Sequence, residues 1–169
     1  MSATFYVIKT NRVNMKYLTG LLNSKLIEFW LKNKGKMQGA NYQLDKEPLQ
    51  QIPIAVPSND VQEIVAKLVD MIILLNTTDE RASELVQNSY ISSELEKLID
   101  GCIYEIYLPG EMAGMSVITV LRNYIKQKDS ISIDDIWELY MKFDSTGIIE
   151  SLNSLSLSSS ETLRTIILS

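Results

Sequence analysis

The chain has 169 residues, of which 46% are hydrophobic and 22% are charged, and its net charge is −5. This composition is typical of one globular domain, and no apolar run reaches the about 18 residues that a membrane span needs. The chain has no histidine and one cysteine, Cys102, which excludes an intramolecular disulfide, a Cys/His zinc site and His-based catalysis.

Charge is distributed unevenly along the chain. Residues 1–52 carry eight basic and three acidic groups, a net +5, whereas residues 53–169 carry a net −10. A positive segment on an acidic body is expected when one face of a protein meets phosphates, although chance clustering of surface charge gives the same count. The N-terminus lacks the features of a secretory signal, so we expect a cytoplasmic protein with no membrane partner.

The first part of the chain mixes strand, helix and loop signals. TFYVIKT is rich in β-branched and aromatic residues and predicts a strand. Apolar residues then recur at three- and four-residue steps over 14–32, which predicts one amphipathic helix that begins near Asn14. Gly35 and Gly39 end that pattern, so NKGKMQGANYQ is expected to form a loop or an irregular hairpin.

The next segment contains closely spaced prolines. Residues 45–51 predict one short helical turn, and Pro53 and Pro57 bracket IAV as an edge strand or an extended connector. From Pro57 onward the pattern is helical. A long helix is expected to start at a Ser58 or Asn59 cap.

The remaining elements are predicted as helices over 92–108 and 110–128, then one that Ser132 and Asp135 start with a capping box. The serine-rich SLNSLSLSSSE predicts a loop before a short last helix over 160–168. We therefore expect an α+β fold that is predominantly helical. A small strand, helix and loop segment, 1–57, should precede a bundle-like helical segment, 58–169, packed on it as one domain.

The basic loop and its surroundings are the best candidate for a binding site. Its lysines suit phosphate contacts, its amides can read base edges, and Tyr42 offers a stacking surface. On residue type alone, an ordinary solvated loop explains the cluster as well. The candidate DNA-binding residues are Lys32, Lys34, Lys36, Gln38, Asn41, Tyr42 and Gln43.

Three short motifs occur in order along the chain: LLNSKL at 21–26, then Gly39 and Tyr42, then LQQIPI at 49–54. This arrangement resembles the TaqI-like C-terminal specificity domain of adenine-specific DNA methyltransferases and fused type II restriction-modification enzymes. Downstream, ELEKLIDGCIYEIYLPGEM resembles the C-terminal element of the same family. The residues that match this second element are Asp100, Tyr104, Tyr107 and Glu111.

The resemblance implies a target-recognition domain whose partners are double-stranded DNA and the methyltransferase or nuclease domain of a longer parent protein. S-adenosylmethionine would be the parent's cofactor, and no cofactor is expected in this chain. Relatives often carry arginine in the glycine loop, whereas this loop has only lysines and amides, so bidentate recognition of guanine by arginine is not expected.

Catalytic motifs are missing from the sequence. The family's F-x-G-x-G and N-P-P-[YF] motifs do not occur, and no acidic residue is followed two positions later by lysine, as a metal-dependent nuclease requires. We expect that this chain is not itself an enzyme and that it is the C-terminal fragment of one.

An alternative comes from the junction PIAVPSNDVQEIVAKLVDMIILL, which is similar to that of type I specificity subunits. There the long helix docks a methylase subunit. On this interpretation the helical segment is a protein-interaction module that does not contact DNA.

Overall fold

The computed structural model describes residues 7–34, 36–38, 41–43, 46–112, 114–125, 130–157 and 160–169, with the backbone alone for 36–38, 41–43 and 46. Helices dominate these residues. They are α1 (Met15–Leu22), α2 (Lys25–Lys34), α3 (Lys46–Gln50), α4 (Asn59–Thr77), α5 (Asn88–Tyr107), α6 (Val117–Ile125), α7 (Ile133–Ser145), α8 (Ile148–Asn153) and α9 (Glu161–Ile167). Short 3-10 turns cover Pro109–Glu111 and Ser154–Leu157.

Strands are confined to one small hairpin. Strand β1 (Lys36–Gln38) pairs antiparallel with β2 (Asn41–Gln43), and in the described part of the chain no other strand joins them. Val7 to Thr10 form no strand, and the rest of TFYVIKT lies outside the described residues. The α+β class expected from the sequence is therefore wrong, because the body of the molecule is all-α.

The core is built around the two longest helices, α4 and α5. A ten-residue connection lets them pack side by side, and it is tied at their adjoining ends, where Asn76 Nδ2 donates to Ser92 Oγ at 3.2 Å. Helix α1 lies against both at Gly20, where an added Cβ would come within 2.9 Å of Val65 Cγ1. Side chains of α1, α2, α4 to α9 and Ile52 share one hydrophobic core, so residues on both sides of Pro57 contribute to it.

Several helix ends follow the cap chemistry of the sequence. Asn14 Oδ1 accepts from the backbone N–H of Lys16 at 2.8 Å and starts α1. Ser132 and Asp135 form the capping box expected for α7, and Ser160 caps α9. The expected short helix over 45–51 is α3, and the long helix after Ser58 is α4.

Four predicted elements differ from the structure. The helix over 14–32 is two helices, α1 and α2, with a break at Asn23 and Ser24, the third and fourth residues of the motif LLNSKL. Helix α5 begins four residues earlier than predicted, and α6 occupies only part of 110–128. The serine-rich segment begins with the end of α8 and a 3-10 turn rather than a loop, because its buried Leu152 and Leu155 anchor it to the core.

Candidate functional site

The junction between α1 and α2 is fixed by short polar side chains. Ser24 is buried, its hydroxyl donates to the carbonyl of Leu21 at 2.7 Å, and it accepts from the N–H of Ile27 at 3.4 Å. Asn23 Nδ2 donates to the carbonyl of Thr19 at 2.8 Å. These contacts satisfy backbone groups where one helix ends and the next begins. Both polar residues of LLNSKL therefore serve the scaffold.

A carboxylate from α5 completes this junction. Asp100 Oδ1 accepts from the backbone N–H of Lys25 at 2.8 Å, which places a negative group at the positive N-terminal end of α2. Burial raises the pKa of Asp100 to about 6, and the bond from Lys25 opposes this rise. The start of α2 is thus attached directly to the central helix α5.

The connector 53–57 is held by two tyrosine hydroxyls. Tyr107 of α5 donates to the carbonyl of Pro53 at 2.6 Å and accepts from the N–H of Ala55 at 2.8 Å. Tyr17 of α1 donates to the carbonyl of Ala55 at 2.9 Å. Burial raises the pKa of both tyrosines, so their hydroxyls stay protonated at neutral pH. The connector is extended, but it is not an edge strand among the described residues, because side chains satisfy its backbone.

The sequence motifs therefore meet in space. LLNSKL contacts Asp100, and the Pro53 carbonyl of LQQIPI contacts Tyr107, so both early motifs are joined to the downstream element IDGCIYEIY. Through these contacts LLNSKL, LQQIPI and IDGCIYEIY form one framework around the start of α2. That framework ends where Lys34 and the hairpin begin.

The end of α2 contains the first of the candidate binding residues. Lys32 Nζ lies 2.9 Å from Glu28 Oε1 and donates to the carbonyl of Ser169 at 2.8 Å, and its side chain is about one third exposed. Hydrogen bonds from Lys25 and Lys32 lower the pKa of Glu28. Lys32 must exchange these partners before it can hold a phosphate. Lys34 is exposed, and no ion pair between described residues involves it.

The other candidates lie in the hairpin. Lys36 is paired with Gln43, Met37 with Tyr42, and Gln38 with Asn41. The backbone thus brings Lys36, Gln38, Asn41, Tyr42 and Gln43 into one small unit next to Lys34. This proximity was expected from their positions in sequence, and a hairpin was one of the two forms expected for this segment, whereas the register of its pairing was not predicted.

Acidic residues neutralise part of the basic segment. Lys16 forms an ion pair with Asp70, and Lys25 and Lys32 share Glu28. In the described ranges Lys9, Arg12 and Lys34 take part in no ion pair, and all three are exposed. Lys9 and Arg12 were counted in the basic segment but not assigned to the site. The sequence pointed to these two residues only by their position, Lys9 within the segment predicted as a strand and Arg12 just after it.

An apolar groove of about 460 Å³ lies next to the connector. The side chains of Val7, Ile8, Ile54 and Val56 line it and are exposed, Val7 to 79% and Val56 to 62%. Residue Arg12 stands at the same groove. The groove belongs to the part of the chain before Pro57, not to the helical segment that the alternative interpretation assigned to protein docking.

Two groups outside this region have no catalytic character. Cys102 is fully buried and burial raises the pKa of its thiol, which makes it an inert core residue as the sequence indicated. Asp134 and Asp135 lie in the first turn of α7, where Asp135 accepts from the N–H of Ser132 at 2.8 Å. No helix in the described ranges is both long and apolar enough to cross a membrane.

Comparison with known proteins gives one finding. Residues 1–54, about a third of the chain, match the family model described as the TaqI-like C-terminal specificity domain. The resemblance drawn from LLNSKL and LQQIPI is confirmed over this range. The match does not reach the element around Asp100 and Tyr107, which stays a resemblance. No curated protein and no solved structure matches the chain significantly.

Proposed function

We propose that this chain is a DNA-recognition module of a restriction-modification enzyme and that it selects a DNA sequence for N6-adenine methylation or cleavage performed elsewhere. The observation that carries the proposal is the match of residues 1–54 to a specificity domain. In this segment the described framework ends at an exposed lysine and a polar hairpin.

The proposed mechanism is positioning. At its start, helix α2 is attached to α5 through Asp100. Near its end, Lys32 donates to the carbonyl of Ser169, just beyond α9. A helix held at both ends keeps the group at its terminus in a defined place. A contact from a preorganised group costs less conformational entropy on binding than one from a free loop. Because α2 is already fixed, Lys34 and the hairpin can contact DNA without a prior ordering of this helix.

The division of labour within the site follows from chemistry. Lys34 and Lys36 neutralise phosphates, which supplies affinity without reading sequence. Gln38, Asn41 and Gln43 carry amides that both donate and accept, and these read base edges. Lys32 contributes to the phosphate contact only when it leaves Glu28. Tyr42 is the aromatic member of the site.

The chemical step belongs to the rest of the proposed parent protein. A methyltransferase or nuclease domain there would act on the DNA that this chain holds, with S-adenosylmethionine bound to that domain and not to this one. The absence of N-P-P, G-x-G and acidic-x-Lys motifs from the 169 residues supports this separation. We place the enzyme in the cytoplasm, where its DNA is.

Lys34→Ala tests the phosphate contact. Binding of the chain to a random-sequence duplex is measured over a series of salt concentrations, and loss of one phosphate contact should make the slope of log K against log salt shallower by about 0.9. Lys142→Ala is the matched control, because Lys142 is an exposed lysine on α7, which is remote from α2 in the packing. An unchanged slope for Lys34→Ala, or an equal change for both variants, rejects the assigned contact.

A further inference from the structure

Side chains of the helices bond to every second residue of the connector 53–57. Tyrosine hydroxyls bond to the carbonyl of Pro53 and to both backbone groups of Ala55. Gln62 Nε2 donates to the carbonyl of Pro57 at 2.9 Å. In extended backbone the N–H and C=O of one residue point to the same side, and those of the next residue point to the opposite side. One edge of the connector is therefore bonded to the body of the molecule.

The other edge of the connector carries unpaired backbone groups. By the same alternation, the N–H and C=O groups of Ile54 and Val56 face away from the helices. None of these groups takes part in a hydrogen bond between described residues. A row of free N–H and C=O groups on extended backbone is a template for a further strand. Because water can also satisfy such groups, the free edge alone does not identify an occupant.

The apolar groove adjoins this free edge. Ile54 and Val56 are two positions apart, so their side chains share one face of the extended backbone, and both line the groove. Val7 and Ile8 line it too, and all four side chains are exposed. Water does not compensate apolar surface as it does backbone groups. A strand added at the free edge supplies both needs, since it pairs the backbone and brings every second side chain to the groove.

The charge beside the groove restricts the occupant further. Arg12 lines the groove and is exposed, and within the described ranges it takes part in no ion pair. None of the described residues that line the groove is acidic. An arginine guanidinium binds a carboxylate through two parallel hydrogen bonds. An occupant with an acidic side chain therefore complements this end of the groove.

We propose that the outer edge of the connector binds an extended segment of another polypeptide as an added strand. The segment pairs its backbone with Ile54 and Val56 and places alternate apolar side chains in the groove, and an acidic side chain of the segment reaches Arg12. This docking uses neither Lys34 nor the hairpin. It therefore stands or falls independently of DNA recognition.

Selection from a random peptide library displayed on phage tests the chemistry of the occupant, with the whole chain as the target. The selected peptides should carry apolar residues at every second position together with an aspartate or a glutamate. Arg12→Glu should replace the acidic preference with a preference for lysine or arginine. Arg81→Glu is the matched control and should leave the preference unchanged, because Arg81 is an exposed arginine between α4 and α5 that does not line the groove.

Val56→Pro and Val56→Ala separate the backbone contact from the side-chain contact. Proline removes the N–H and keeps a side chain of similar apolar bulk, whereas alanine keeps the N–H and loses two methyl groups. Val56→Pro should weaken binding of a selected synthetic peptide by about tenfold or more, and Val56→Ala should weaken it less. Urea unfolding checks that each variant folds. Ile54→Pro and Ile54→Ala repeat the comparison at the second outward-facing N–H.

Four results would overturn the proposal. They are a library that yields no binding peptide, selected peptides whose apolar residues recur at the three- and four-residue steps of a helix, an acidic preference that Arg12→Glu leaves unchanged, and alanine variants that weaken binding as much as the proline variants. Sedimentation of the wild-type chain examines a second copy as the occupant. A dimer that Val56→Pro dissociates would assign the edge to self-association and overturn docking of another polypeptide.

Discussion

At the scale of single residues, Asp100 has the most consequences for the site. Its carboxylate holds the first N–H of α2, yet burial makes the charged form unfavourable and raises its pKa to about 6 from an ordinary value of 3.8. Protonation keeps one oxygen available as an acceptor for the N–H of Lys25. The framework therefore tolerates a neutral group at this position better than a charged one.

The stability of the chain should depend on pH through Asp100. Because its folded pKa lies above its unfolded pKa, its contribution is fully present below about pH 4 and is lost as the pH rises through about 6. Asp100→Asn keeps the acceptor and removes the charge. Its free energy of unfolding relative to wild type should rise between pH 4 and pH 7, by up to about 3 kcal/mol for a shift of roughly two pH units. Urea unfolding at several pH values measures this difference.

Glu150→Gln is the control for that experiment, because Glu150 is an exposed carboxylate on α8 and is not one of the charges that shift the pKa of Asp100. Its difference from wild type should stay nearly constant over the same pH range. A constant difference for Asp100→Asn as well contradicts the assigned role of burial at Asp100.

Single residues also show the limits of sequence patterns. Asn14 and Ser132 were recognised as caps because each precedes an apolar helical pattern, and cap chemistry is local. Ser24 was not, because Leu21, Leu22 and Leu26 continue the same apolar stripe across the break. The first N–H of α2, that of Lys25, is bonded instead to Asp100, which is 75 residues away along the chain, and no local pattern reveals such a partner.

At the scale of elements, the connector 53–57 explains how the motifs form one framework. Its backbone runs between α1 and α5 and is bonded to Tyr17 and Tyr107 rather than to a strand. The prolines at its ends were visible in the sequence and correctly indicated an extended segment. The side chains that bond to its backbone were not predictable, because Tyr17 and Tyr107 lie in two helices that are distant from the connector along the chain.

Tyr107→Phe should destabilise the chain by about 1–3 kcal/mol, because it leaves the carbonyl of Pro53 and the N–H of Ala55 without a partner. Tyr17→Phe removes one bond to the same connector and should cost less. Chemical unfolding of both variants and of the double variant measures the two costs and their coupling. A free energy of unfolding for Tyr107→Phe within about 0.3 kcal/mol of wild type would show that the tyrosine does not hold the connector.

Helix prediction succeeded where apolar periodicity was long and failed where it was short. Helices α4 and α5 were foreseen because their stripes run through many turns. Helix α8 was missed because it has only six residues, and its apolar pattern consists of Ile148, Ile149 and Leu152 alone. The expected N-terminal strand rested on residue type alone, and Val7 to Thr10, the part of it that the structure describes, have no neighbouring strand there to pair with.

At the scale of the whole molecule, the charge asymmetry of the sequence is only partly retained in the structure. Glu28 of the basic segment itself and Asp70 of the acidic body pair with three of the lysines of the basic segment. The remaining described cations, Lys9, Arg12 and Lys34, are exposed. Counting charges along the sequence therefore overestimates the number of groups available to phosphates, because ion pairs depend on which helices meet.

The location of the candidate site was predictable from the sequence, but the contacts within it were not. Residue types and the family resemblance located it between Lys32 and Gln43. The ion pair of Lys32 and the backbone register of the hairpin required coordinates, since both depend on contacts that the sequence does not specify. The family match over residues 1–54 supports the region as a whole.

The most direct test of the account is binding of the wild-type chain to random-sequence duplexes over a salt series. Each phosphate contact contributes about −0.9 to the slope of log K against log salt, so two to four contacts from the exposed cations give a slope of roughly −2 to −4. A slope in that range is the result we expect. Absence of binding at low salt, or binding that does not depend on salt, would contradict the proposal that this chain recognises DNA.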